Sequence, residues 1–313
     1  MRNSALSFAT FFDIIYINNK KNIKYNIVKK DYDNMKEKKI TPFIKWPGGK
    51  SWFINQLLEI IPTEYNNYYE PFLGGGSVFW GLRPQKALIA DINEELINLY
   101  IVMRDKPDEL KKMMKQHQKA HCQTYYYQIR ENSCNTELEK AARFLYLNRT
   151  CFNGMYRVNK NGKFNVPIGT KNNCIYDIDL FDEYAQILKE VNILVDDFEK
   201  TIEKAHMGDL IFADPPYTSQ KRQEGFIKYN DKLFTWNDQE RLFRCLKDAK
   251  RRGVIIILTN IDCKEIREMY IAGGFFIKDL KRASTIAGNA KKRGIITELL
   301  ITSYEVKMGE EHI

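Results

Sequence analysis

Leu210-Ile211-Phe212-Ala213-Asp214-Pro215-Pro216-Tyr217 has one economical structural reading. A short unbroken apolar run suits a strand buried on both faces of a parallel sheet, where alternation would mark a half-wet strand. The two prolines fix φ and remove backbone donors, so the ladder stops at Asp214. Asp214, the carbonyls beside it and the flat ring of Tyr217 are therefore held at the carboxyl edge of a sheet, where open α/β folds bind ligands.

The pattern repeats on both sides of this segment. Residues 68–70, 87–90, 191–195 and 254–258 read as further strands, and 295–304 as an edge or antiparallel strand. Residues 51–60 and 238–252 read as helices. The first strand runs into Glu70-Pro71-Phe72-Leu73-Gly74-Gly75-Gly76-Ser77, with helix-like residues 78–82 behind it. Glycines at that place allow a sharp turn and close approach to a ligand. Asp91 closes the next strand in Ile89-Ala90-Asp91-Ile92-Asn93. An acid there accepts hydrogen bonds from the ribose hydroxyls of a nucleoside cofactor, unless Asp91 or Asn93 merely caps the following helix.

Beyond residue 105 the composition turns to Lys, Gln, His and Tyr, and helical periodicity dominates to about residue 148. A Gly- and Asn-rich stretch, 153–169, follows; it is too polar and too long for an ordinary connection. The chain thus reads as an α/β sheet assembled from residues 41–105 and 186–308, with a helical insertion at 106–185. Residues 1–40, rich in Asn, Lys and Ile, read as a poorly ordered extension, or a translation start assigned too early, rather than a domain.

The 313 residues, 44% hydrophobic with 18 Tyr and 18 Phe, can bury a full core and exclude a disordered or fibrous chain. A formal charge of +9 favours a polyanionic partner. Cys122, Cys134, Cys151, Cys174, Cys245 and Cys263 show neither Cys-x-x-Cys spacing nor a nearby His pair, so they read as reduced thiols and no metal site is expected. No apolar run reaches the roughly 18–20 residues of a membrane span, and the chain reads as cytoplasmic.

The chemistry available at Asp214-Pro215-Pro216-Tyr217 suits an aromatic amine. Such a nitrogen is a poor nucleophile because its lone pair is delocalised into the ring. A carboxylate and a backbone carbonyl that accept both amine hydrogens draw it towards tetrahedral geometry, while Tyr217 orients the ring by stacking.

Together with Phe43-Ile44-Lys45-Trp46-Pro47-Gly48-Gly49-Lys50, these motifs resemble the Dam-type, class D12, DNA adenine-N6 methyltransferases. The similarity runs from about residue 42 to 304. It implies a Rossmann-like methyltransferase sheet with a target-recognition insertion, and Asp214, Pro215, Pro216 and Tyr217 as the catalytic loop. It further implies S-adenosylmethionine, leaving as S-adenosylhomocysteine, in contact with Trp46, Lys50, Phe72, Gly74, Asp91 and Asp214. Lys50 would pair with the methionine carboxylate, and Asp197-Phe198 would lie at the cofactor's adenine.

The insertion is similar to the family's recognition hairpin over Leu147-Asn148-Arg149-Thr150-Cys151-Phe152-Asn153-Gly154-Met155-Tyr156-Arg157 and Gly162-Lys163-Phe164-Asn165-Val166-Pro167. Arg157 suits guanine O6 and N7, with Asn153, Met155, Asn165 and Pro167 in the same hairpin. Arg130 suits a phosphate, and Lys291 and Arg293 lie in a basic loop resembling one the family places beside DNA. GATC is the leading target, although Thr170 stands where the family often has a basic residue. The expected partner is duplex DNA, met by a monomer that flips its adenine out, in the nucleoid and with room for a cognate restriction endonuclease. Enzymes acting on cytosine N4 or protein glutamine usually show Asn-Pro-Pro-Tyr or Ser-Pro-Pro-Tyr, so Asp214 points to adenine. The rival from another class is an inactive DNA-binding regulator or restriction accessory, against which Lys50 and the intact tetrapeptide speak.

Overall fold

The apolar runs of the sequence become the strands of one sheet. The computed structural model describes residues 40–159, 161–218, 234–283 and 295–306. The chain divides into two units: residues 1–41 with Ile61–Glu64, and a larger unit, Pro42–Ile60 with Tyr65–Ile313, which carries everything that follows. Residues 1–39, expected to be an extension, lie outside the described residues, as do Lys291 and Arg293.

Strands β1 (Tyr68–Glu70), β2 (Ala87–Asp91), β3 (Asn192–Val195), β4 (Leu210–Ala213), β5 (Ile255–Ile261), β6 (Phe276–Ala283) and β7 (Ile295–Thr302) form the sheet in the order β3-β2-β1-β4-β5-β7-β6. The first five pair in parallel, whereas β7 runs antiparallel to both neighbours. Every residue of the apolar strand β4 is buried, and so is every residue of β1, where Glu70 follows two tyrosines. This is the Rossmann-like sheet expected from the sequence. Strand order reverses between β1 and β4, which opens a crevice at their carboxyl ends.

The final run, expected as an edge or antiparallel strand, is antiparallel and lies inside the sheet between β5 and β6. β6, with the sequence Phe-Ile-Lys-Asp-Leu-Lys-Arg-Ala, was not expected as a strand. It occupies the sheet edge, where charged side chains such as Lys278 and Lys281 face solvent and blur the apolar signal.

Helix α1 (Ile54–Ile60) precedes β1, and α2 (Ser77–Leu82) links the glycine turn to β2. Between β2 and β3 lie α3 (Glu94–Asp105), α4 (Pro107–Ala120), α5 (Gln123–Glu131), α6 (Glu137–Thr150) and α7 (Phe181–Leu188). Their ends follow local chemistry. Asn93 caps α3 by accepting from Leu96 N at 3.1 Å, Pro107 opens α4, and Thr136 with Glu139 forms a capping box on α6. α3 and α4 both pack on α6 and α7. At the base of this layer Phe43, Trp80, Tyr100 and Tyr184 form one buried aromatic cluster. On one face of the sheet, α8 (Phe198–Glu203), α9 (Trp236–Arg251) and α10 (Lys264–Ala272) bury Ile202, Leu242, Leu246, Ile266 and Tyr270 against Ile211, Ile256, Leu258 and Ile301. Burial of this kind is worth about 25 cal/mol per Å2 of apolar surface, and it holds the strand ends in register.

Candidate active site

Asp214 stands directly after β4, in the crevice beside β1. Its Oδ2 accepts from Lys50 Nζ at 2.7 Å and its Oδ1 from the Thr259 hydroxyl of β5, also at 2.7 Å. Lys50 also donates to the Gly48 carbonyl at 2.9 Å, and its Nζ lies 3.7 Å from Glu298 Oε2 on β7. That same Oε2 accepts from the Tyr217 hydroxyl at 2.7 Å, and the Lys50 ammonium sits 5.1 Å from the Tyr217 ring centre. The segment before α1, the loop after β4, and strands β5 and β7 therefore meet in one polar cluster. Lys50 is 3% exposed and Glu298 2%, against 19% for the Asp214 side chain. Burial holds the Asp214 pKa above the usual aspartate value; Lys50 and Thr259 oppose that rise and Glu298 adds to it. One ammonium faces two carboxylates, so the cluster is complementary to a cation.

The glycine turn lies across the crevice. Gly74 has φ +49°, and a Cβ there would stand 2.7 Å from Trp46 Cδ1, so neither the backbone nor the space admits a side chain. Asp91 Oδ2 accepts from Gly74 N at 2.9 Å, and Oδ1 accepts from Asn93 N at 3.0 Å. The capping role falls to Asn93, leaving the Asp91 carboxylate to clamp the turn. Burial raises its pKa, with these backbone donors opposing. Each Asp91 oxygen retains a second lone pair for a hydroxyl donor. Beneath the turn, Glu70 Oε2 accepts from the Tyr68 hydroxyl at 2.7 Å and from Phe79 N at 3.1 Å, and burial pushes its pKa up to about 8.

The remaining residues expected at a cofactor are placed as follows. Trp46 stacks on Tyr156 at 5.2 Å and on Phe144 at 6.3 Å, bridging the glycine turn and the helical insertion. Phe72 stacks on Phe198 at 5.3 Å; Phe198 is 5% exposed and also carries the Arg241 guanidinium 4.3 Å from its centre. Asp197 caps α8 by accepting from Glu199 N at 2.9 Å and pairs with Arg241 at 2.8 Å. Both sit beside Phe72 on the sheet's carboxyl side, though much of their bonding capacity is spent within the protein.

Between α6 and α7 the chain doubles back, held by two isolated antiparallel bridges, Cys151 with Ile168 and Val158 with Phe164. Asn159 N donates to Lys163 O at 2.8 Å, and Gly162 takes φ +74° in the turn. At its base Phe152 N donates to Pro167 O at 2.9 Å, and Asn153 adopts φ +56°. Asn153, Arg157 and Pro167 are exposed, while Met155 and Asn165 are half-buried. Arg157 Nε donates to Asn165 Oδ1 at 2.8 Å, so the expected base reader is joined to a second residue of the same hairpin. Arg130 lies on α5, paired with Glu131 at 2.9 Å; the same helix touches the hairpin through Tyr126, whose hydroxyl donates to Val166 O at 2.9 Å.

Sequence reasoning did not single out Thr259 or Glu298, and it quoted Asn148 and Arg149 only within the recognition motif. Glu298 had a signal: it is the lone acid in the apolar run of β7. Asn148 accepts from Lys45 N at 3.0 Å and donates to Lys45 O at 2.8 Å, fastening the segment before Trp46 to α6. Arg149, buried, pairs with Asp177 at 2.6 Å and donates to Phe43 O at 3.0 Å. Among the described residues no cluster suits a metal, all six cysteines are free, and no helix is long and apolar enough to cross a membrane.

A family model described as D12 class N6 adenine-specific DNA methyltransferase matches residues 46–286. The Type II methyltransferase M1.LlaDCHI of Lactococcus lactis subsp. cremoris is 36% identical over 288 residues, covering 89% of this chain and 99% of that protein. The DNA adenine methylase of Haemophilus influenzae is 33% identical, covering 83% and 92%. The DNA adenine methylase of Escherichia coli is 28% identical, covering 84% and 95%.

Proposed function

The chain belongs to the D12 class of N6 adenine-specific DNA methyltransferases, and on that premise we propose that it methylates N6 of an adenine flipped out of duplex DNA within GATC. Its methyl donor is S-adenosylmethionine. The residues fit that group: the cluster of Lys50, Asp214 and Glu298 carries an excess of negative charge, and the Asp91 carboxylate borders a glycine turn on which the Trp46 ring packs. Asp91 would hold the ribose hydroxyls, with Trp46, Phe72, Gly74, Asp197 and Phe198 around the nucleoside and Lys50 towards the methionine carboxylate. When bound, S-adenosylmethionine supplies an electrophilic methyl group on a sulfonium.

Asp214 and the Pro215 carbonyl accept the two N6 hydrogens of the target adenine, concentrating the lone pair on nitrogen. Pro215 and Pro216 keep those acceptors from relaxing, because their φ angles are fixed. Tyr217 stacks on the flipped ring. These are positioning and electrostatic effects, and neither a metal nor a covalent nucleophile is needed. Arg157, with Asn153, Met155, Asn165 and Pro167, reads the bases around the target. Arg130, Lys291 and Arg293 contact phosphates. One chain suffices for the reaction. A cognate restriction endonuclease acting on the same site fits the Type II designation of the Lactococcus relative.

The observation that most supports this reading is the position of Asp214, fixed by Lys50 and Thr259 at 2.7 Å each beside β1. Incubating the full chain with S-adenosylmethionine and plasmid DNA, then mapping modified adenines, tests it. Modification within GATC is expected. Modified adenines lacking a GATC core would overturn the target but keep the chemistry. DNA binding without transfer would favour the inactive regulator.

A further inference from the structure

Strand β7 carries a buried acid where its sequence is otherwise apolar, Ile295-Ile296-Thr297-Glu298-Leu299-Leu300-Ile301-Thr302. Placing a carboxylate there is costly unless it is paired. Glu298 is 2% exposed, and both neighbouring strands fix its backbone, with Ile261 opposite on β5 and Leu280 on β6. Its Oε2 meets two groups of the site: the Tyr217 hydroxyl at 2.7 Å and Lys50 Nζ at 3.7 Å.

Tyr217 lies outside any strand or helix, so its ring direction depends on side-chain contacts. A phenol tethered to a rigid strand cannot swing freely about χ1 and χ2. Lys50, drawn between Glu298 and Asp214, is held in place by the same carboxylate.

We propose that Glu298 is a positioning residue for methyl transfer: by accepting the Tyr217 hydroxyl it fixes the ring against which the target adenine stacks. The proposal rests on the functional reading above. Glu298 acts through Tyr217, and secondarily through Lys50. A role confined to charge balance around Lys50 makes different predictions, because glutamine keeps an acceptor for the phenol but loses the charge.

The test is single-turnover methyl transfer to GATC duplex DNA at saturating S-adenosylmethionine, with cofactor affinity measured alongside. Glu298→Ala and Tyr217→Phe should each slow transfer by about tenfold to a hundredfold, the cost of small misplacement at a reacting centre. Cofactor affinity should stay within about threefold in Tyr217→Phe, whereas Glu298→Ala and Glu298→Gln, which both lose the charge beside Lys50, should shift it alike. Glu298→Gln should recover most of the lost transfer rate. The double variant Glu298→Ala/Tyr217→Phe should be no slower than the slower single change, because both cut the same link. Should Glu298→Ala not fold, the Gln variant, Tyr217→Phe and their combination carry the same comparison, with the combination matching Tyr217→Phe. Multiplying losses, or a Gln variant as slow as Ala beside a fast Tyr217→Phe, would overturn the proposal. A wild-type chain that methylates DNA while Glu298→Ala keeps its rate overturns it alone. A wild-type chain that leaves DNA unmethylated overturns the functional reading with it.

Discussion

The Lys50 ammonium lies 2.7 Å from the Asp214 carboxylate, across 164 residues of sequence, and the two form one electrostatic unit at the mouth of the β1–β4 crevice. Deleting either partner strands a buried charge, which costs about 3–5 kcal/mol in other proteins. Asp214→Ala therefore confounds folding with chemistry. Asp214→Asn keeps the shape and an acceptor for Thr259 while removing the carboxylate. We expect methyl transfer to fall about a hundredfold to a thousandfold, the usual loss for a preorganised charge-stabilising group. The melting temperature should fall less than in Asp214→Ala, because the amide keeps the Thr259 contact and Glu298 still faces Lys50 at 3.7 Å. Single-turnover rates beside thermal unfolding check it, and wild-type transfer by Asp214→Asn would remove Asp214 from catalysis.

Glu70 gives the protein a pH signature. Its folded pKa is pushed up to about 8 from an ordinary value of 4.5, so the folded chain holds a proton that the unfolded chain has released. The contribution to stability is fully present below about 4.5 and is lost progressively as pH rises to about 8. Glu70→Gln, neutral throughout, keeps an acceptor for Tyr68 and Phe79. Relative to wild type it should gain stability as pH rises from 5 to 8, by on the order of a few kcal/mol. Urea unfolding at several pH values reads this difference; a constant offset between the two proteins would contradict it.

What the sequence made legible follows from how each signal is encoded. β4 was readable because burial on both faces demands consecutive apolar residues, β1 because two aromatic residues run into a glycine turn, and Asp214 because two prolines mark the strand's end. Thr259 was not readable. A threonine in a β-strand is ordinary, and only the β4–β5 register brings its hydroxyl to Asp214. Asn148 was quoted within a recognition motif, yet its amide spans the Lys45 backbone from 103 residues away, a contact that no local pattern announces. β6 was missed because an exposed edge strand carries the charge pattern of a loop.

Asp91 separates cofactor binding from chemistry. Its carboxylate already clamps Gly74 N at 2.9 Å, so a ribose contact would use a lone pair left over from that bond. Asp91→Asn preserves an acceptor but loses the charge, which strengthens such bonds. S-adenosylmethionine affinity should weaken by about tenfold to a hundredfold, matching the 1.5–3 kcal/mol typical of hydrogen bonds to charged groups. The transfer rate at saturating cofactor should hold within a few-fold. Calorimetry and single-turnover kinetics together test this, and unchanged affinity would exclude Asp91 from the ribose.

Arg157 and Arg130 should fail in different ways. Arg157 Nε is pinned to Asn165 Oδ1 at 2.8 Å, which presents its guanidinium from the hairpin with less freedom to lose on binding. A bidentate contact to guanine is worth about 1–3 kcal/mol of discrimination, so Arg157→Ala should relax the choice of base at one position of the site. Asn165→Ala, which only frees Arg157, should relax the same position to a smaller extent. Arg130 pairs with Glu131 on α5 and, in the phosphate contact proposed for it, would carry no sequence information. Arg130→Ala should weaken binding evenly across all sequences and reduce the salt dependence by about one ion. Methylation rates on duplexes substituted at each position of GATC, measured at several salt concentrations, separate the two behaviours. Loss of base preference in Arg130→Ala, or uniform weakening in Arg157→Ala, would reverse the assignment, because a charge that reads bases and a charge that only neutralises phosphates cannot exchange signatures.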